Sequence, residues 1–72
     1  MSPTFNELDA VSLTVDVPAE GLTRGSVGTI VQVYSPDEFE VEFVDNGGNT
    51  YGLATLKSDQ LLRLHFDPVA AS

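Results

Sequence analysis

Residues 8 to 15 read L-D-A-V-S-L-T-V, with Leu8, Ala10 and Ser12 on one side and Val11, Leu13 and Val15 on the other. This period of two predicts a strand near Ala10–Leu13. The next segment contains Pro18, Gly21 and Gly25. It is too long for a tight turn and reads as an ordered, wandering loop. Val27–Tyr34 is dense in Val, Ile, Thr and Tyr and is the strongest strand in the chain. Gly25 and Gly28 bracket its start, as glycines do where a strand bulges or a backbone approaches closely. Ser35–Glu38 is a turn, with Pro36 presetting φ at the second position and Asp37 at the third. Phe39–Val44 then alternates, placing Phe39, Val41 and Phe43 inward and Glu38, Glu40 and Glu42 toward water.

Residues 45 to 49, D-N-G-G-N, form a hairpin loop in which Asn46-Gly47 and Gly48 are expected to supply positive φ. Thr50–Thr55 is the next strand, K-S-D-Q (57 to 60) one 3-10 or helical turn, and Leu61–Leu64 a short closing strand. The competing pattern is an amphipathic helix over L-K-S-D-Q-L-L-R-L-H-F. There is no internal repeat and no low-complexity segment. These elements predict an all-β fold: a small five-stranded SH3-like barrel with a long first loop and a short 3-10 turn before the last strand. The barrel is expected over residues 8–65, with a flexible N-terminal lead at 1–7 and a C-terminal tail at 66–72.

Residues 25 to 33, G-S-V-G-T-I-V-Q-V, followed by E-V-E-F at 40 to 43, resemble the signature of small SH3-like barrels. These include nitrile hydratase beta-subunit-type barrels and KOW-type segments of ribosomal and transcription proteins. The chain also resembles a bacterial family of about this length known as a domain of unknown function. That likeness runs through Val11, Leu13, Asp16 and Pro18, then Gly21-Leu22, Gly25, Thr50-Tyr51 and Leu61-Leu62, over about residues 8 to 64. Phe39 stands where that pattern has tyrosine. Some members of the family sit beside toxin-like partners, so the resemblance implies an immunity or antitoxin role.

Composition narrows the function. Eleven acids face three bases, Arg24, Lys57 and Arg63, for a net charge of −8. Such a chain repels phosphate backbones and anionic membrane surfaces, so neither nucleic acid nor membrane is an expected partner. The KOW likeness imports no RNA binding, since the long loop carries Asp16, Glu20 and only Arg24. A basic protein would be steered in; the competing reading of the charge is solubility alone. With no cysteine there is neither a disulfide nor a thiolate metal site, which fits a reducing cytoplasm. M-S-P-T-F-N-E-L-D-A-V-S-L has neither a basic region nor a long apolar one, so a secretory signal is not expected.

Candidate chemistry is sparse. His65 is the sole histidine, next to the tail, with no second imidazole and no cysteine in the chain, so a His-based enzyme is not expected and His65 reads as a surface residue. The glutamates of residues 38 to 42 step about 7 Å along a strand face, but acid/base pairs work in clefts and this face is solvated. Asp45–Asn49 carries oxygen ligands without the spacing of a calcium loop. Gly25–Gly28 lacks the lysine and following helix of a phosphate loop. No catalytic residue, metal site or cofactor is expected, and the aromatic residues read mainly as core or core rim.

Two readings remain. The first is a non-enzymatic acidic module that binds a protein, in its sharpest form neutralising a basic partner. Glu38, Glu40 and Glu42 form its stripe, with Asp16, Glu20, Asp37 and Asp45 in adjacent loops, and Tyr34 and Tyr51 flank a groove. The second is a docking barrel of a larger assembly, using an apolar patch around Leu22, Tyr34, Tyr51 and Leu53. A homodimer through edge strands is compatible with both. Gly25, Gly28, Pro36, Gly47 and Gly48 are structural positions in either.

Overall fold

The computed structural model describes residues 5–45 and 47–64. Within them the chain is all β, with strands β1 (Ala10–Leu13), β2 (Val27–Ser35), β3 (Glu38–Val44), β4 (Thr50–Lys57) and β5 (Leu61–Arg63). All pairings are antiparallel, in one sheet of order β4-β3-β2-β1-β5. Two 3-10 turns interrupt the strands, Pro18–Glu20 in the long first connection and Ser58–Gln60 before β5. The amphipathic-helix pattern is not realised over its described part: Leu56 and Lys57 end β4, and Leu61–Arg63 pairs with β1. Strand β4 runs two residues beyond the expected Thr55, because Leu56 still has an inward place opposite Phe39.

The sheet has to curl. Strands β4 and β5 are its opposite edges, four strand spacings apart, about 19 Å if the sheet were flat. Only Ser58–Gln60 joins them, and the steps from Lys57 to Leu61 span at most about 14 Å even when extended. The concave side therefore encloses the core. Phe39, Val41 and Phe43 line it from β3, Ile30 from β2, Val11 and Leu13 from β1, and Ala54 and Leu56 from β4. The period of two in β3 is realised without exception: every odd-numbered residue from Phe39 to Phe43 is buried.

Three expectations change at or near the core. Leu22, placed in an exposed patch by the sequence reading, is 1% exposed. The long connection folds back through a Val17–Leu22 bridge and drops Leu22 onto β4. Gly52 makes the room, since a Cβ there would stand 3.1 Å from Leu22 Cδ2. Val15, which the alternation groups on one side with Val11 and Leu13, is exposed while they are buried, because β1 ends at Leu13 and the chain bends away. Phe5 lies in the segment read as a flexible lead, yet it is 6% exposed, with its ring centroid 5.2 Å from that of Phe39.

The turns follow local chemistry. Pro36–Asp37 joins β2 to β3, and the Asp37 N–H donates to Ser35 Oγ at 3.2 Å. In the 45–49 loop a left-handed step falls at Gly48 (φ 82°). The reason is Asp45: its Oδ1 accepts N–H bonds from Gly47 at 2.9 Å and Asn49 at 3.0 Å, so its side chain shapes the turn. Asn46, His65 and the tail lie outside the described residues, as does Phe66. Leu8 takes a left-handed φ of 72° in the turn before β1, where its N–H donates to the Ile30 carbonyl at 2.7 Å.

Candidate interaction surface

The solvent face of β3 lies on the convex side of the sheet, between β4 and β2. Glu38, Glu40 and Glu42 stand on it with Ser35, Gln32 and Thr29 opposite on β2 and Lys57, Thr55 and Leu53 opposite on β4. Hydroxyls on the two adjacent strands hold two of the carboxylates in place. Glu40 Oε1 accepts hydrogen bonds from Thr55 Oγ1 at 2.7 Å and from the Tyr34 hydroxyl at 3.3 Å. Glu42 Oε2 accepts one from Thr50 Oγ1 at 2.9 Å. All three glutamates are half-buried, and they sit as an ordered row of negative charge. Partial desolvation, then the charge and hydrogen bond of Glu40 and the charge of Glu38, hold the Tyr34 phenol protonated above its ordinary range.

Apolar side chains border the row. Val27 and Val31 on β2 and Leu53 on β4 are exposed beside it, whereas the exposed Leu62 lies at the far edge, on β5. Tyr34 and Tyr51, expected to flank one groove, are both about half exposed but lie on different strands, separated by β3. Tyr34 leans on Glu40, whereas Tyr51 packs near Phe43, with ring centroids 6.4 Å apart. Of the patch proposed around Leu22, Tyr34, Tyr51 and Leu53, the last three are at the surface and Leu22 is beneath it.

The loop acids have structural partners of their own. Asp16 Oδ1 accepts the Arg24 N–H at 2.8 Å and ties the long connection together. Asp37 Oδ1 accepts the Ser58 N–H at 3.3 Å and the Ser58 hydroxyl, linking the β2–β3 turn to the second 3-10 turn. These two bonds, and then the charge of Lys57, hold the Asp37 carboxyl below its ordinary range. Asp45 is spent on its own loop. Glu20 projects from the first 3-10 turn into solvent.

Sequence reasoning missed the hydroxyls that anchor the row, Thr50 and Thr55. Their signal is present, because threonines on a strand next to a glutamate-bearing strand can reach across, but it depends on a register that spacing alone does not show. It also missed Asp9, whose Oδ2 lies 3.3 Å from Arg63 Nε and accepts the Asn6 N–H at 2.8 Å. Among the described residues no three acids or histidines converge as a metal ion would require. None of their helices is long and apolar enough to cross a membrane.

A protein-family model described as a domain of unknown function (DUF4926) matches residues 7–63. Neither the curated proteins nor the solved structures contain a significant match.

Proposed function

Since the chain belongs to the DUF4926 family, whose description names no activity, we propose its function from the sheet itself: a non-enzymatic module that binds a basic protein through its convex face. The observation that carries this reading is the row of Glu38, Glu40 and Glu42, with Glu40 and Glu42 pinned by hydroxyls from the neighbouring strands. Pinned carboxylates lose little side-chain entropy when a cation meets them, so the charge is preorganised for lysine or arginine. The apolar border of Val31 and Leu53 supplies area to exclude water, as the centre of a protein interface does. The net charge of −8 steers such a partner in. In its sharpest form the module neutralises a basic partner as an antitoxin or immunity protein does, its carboxylates occupying positions where that partner would hold phosphate. The strand order and the short link from β4 to β5 support an SH3-like barrel as the scaffold.

A second reading has its own support. The same face exposes Val27, Val44 and Leu62, which suits a docking barrel held in a larger assembly by apolar contact. Capture from the native host, identification of the partner and titration with that purified partner separate the two. The acidic reading expects affinity to fall steeply between low and high salt. It also expects a weakening of about tenfold or more in the E38Q/E40Q/E42Q variant. A partner that binds equally well at high salt, and equally well to that variant, overturns it in favour of apolar docking.

A further inference from the structure

The two edges of the sheet differ. Strand β5 presents three residues, whereas β4 presents eight. In antiparallel sheets the backbone of successive residues points to one side and then the other, so the register identifies which β4 groups face outward. The Ile30 N–H donates to the Asp9 carbonyl at 3.0 Å and the Ile30 carbonyl accepts from Leu8, so Ile30 faces the β1 side. Thr29 then faces β3, opposite Glu42. It follows that Glu42 faces β2, Val41 and Phe43 face β4, and their partners Ala54 and Gly52 face back. Leu53 and Thr55 are left with N–H and carbonyl pointing out of the sheet. Lys57 gives an independent check, since it has the same parity and its N–H donates to Gln60 Oε1 at 2.9 Å. The edge is thus capped at its C-terminal end. Over Leu53 and Thr55 it is open, their main-chain groups having no partner among the described residues.

An open edge is a template for another strand, and proteins usually blunt it with proline, charge or brevity. Strand β4 reads T-Y-G-L-A-T-L-K, with no proline and with Lys57, at its capped end, as its one charge. In a chain of net charge −8, this edge without a carboxylate is where a second, equally charged copy can approach.

We propose that β4 pairs antiparallel with β4 of a second copy, about a two-fold axis through Ala54. Leu53 then lies opposite Thr55 of the partner subunit, and each pair exchanges the N–H and carbonyl groups that the monomer leaves open. Tyr51 comes opposite Lys57 of the partner subunit, and the small Ala54 occupies the close, non-hydrogen-bonded position on the axis. No carboxylate faces a carboxylate across this junction. The two glutamate rows end three strand spacings apart, about 14 Å, beyond the screening length of about 8 Å in physiological salt. A single strand edge covers less area than a standard stable interface, so the dimer forms in a concentration-dependent way.

The test is sedimentation of the full chain from micromolar to millimolar concentration, with amide hydrogen exchange followed by NMR. The expected result is a shift from the 7.7 kDa monomer to twice that mass. Protection at the Leu53 and Thr55 amides should rise with concentration, while the outward-facing amide of Arg63 on β5 stays unchanged. Leu53→Pro removes one outward N–H without touching the β3–β4 ladder, and should leave a folded monomer. A chain that stays monomeric to millimolar concentration overturns the proposal. So does a dimer that leaves Leu53 and Thr55 unprotected, or one that Leu53→Pro does not weaken. If that variant does not fold, the exchange pattern of the unaltered chain decides.

Discussion

At the scale of single residues, Gly28 is the position where one atom matters most. A Cβ there would stand 2.8 Å from the Glu42 carbonyl oxygen, 2.8 Å from Val41 Cγ1 and 2.9 Å from Phe43 Cδ1. The nearest obstacle is backbone of a paired strand, which cannot rotate away. Gly28→Ala should therefore destabilise the fold by about 1–3 kcal/mol, read as a lower urea midpoint with an unchanged slope. Gly25 is required for a different reason: its φ of 93° is left-handed and the space around it is open. Sequence spacing marked both glycines as structural, but only the register of β2 against β3 separates close approach from backbone conformation.

At the scale of elements, the turns are tied to one another by carboxylates, and this makes stability depend on pH. Asp37 joins the β2–β3 turn to the 3-10 turn that delivers β5. Its hydrogen bonds from Ser58, with Lys57 nearby, lower its pKa in the folded state. The sign follows from proton binding: the unfolded chain binds this proton more readily. Stabilisation is thus fully present above the ordinary aspartate value, about 4, and is lost as the pH falls through the lowered folded-state value. Thermal melts from about pH 6 to about pH 2 should show the melting temperature of the natural chain falling more than that of Asp37→Asn, which has no such proton to bind.

At the scale of the whole molecule, the curl of the sheet joins distant parts of the chain into one core. Phe5 reaches Phe39 on β3, and Leu22 crosses from the long connection to Gly52 on β4. Phe5→Ala should cost about 3 kcal/mol by urea unfolding, far more than truncating a residue of a solvated lead. An effect within about 0.5 kcal/mol would show that the N-terminal segment contributes nothing to the core.

The alternation of Phe39–Val44, the Ser35–Glu38 turn and the density of β-branched residues in Val27–Tyr34 were enough to determine an all-β chain and the inward face of β3. Those features are local, because a strand's period of two and a turn's φ requirements are properties of neighbouring residues. Tertiary structure alone decided the rest. Leu22 and Phe5 are single apolar residues in irregular segments, where no period distinguishes a buried side chain from an exposed one. The anchoring of Glu40 by Tyr34 and Thr55 depends on cross-strand register, which the pairing of whole strands sets. Whether a strand's outer backbone is paired or open depends on its place in the sheet order, and no residue of T-Y-G-L-A-T-L carries that information by itself.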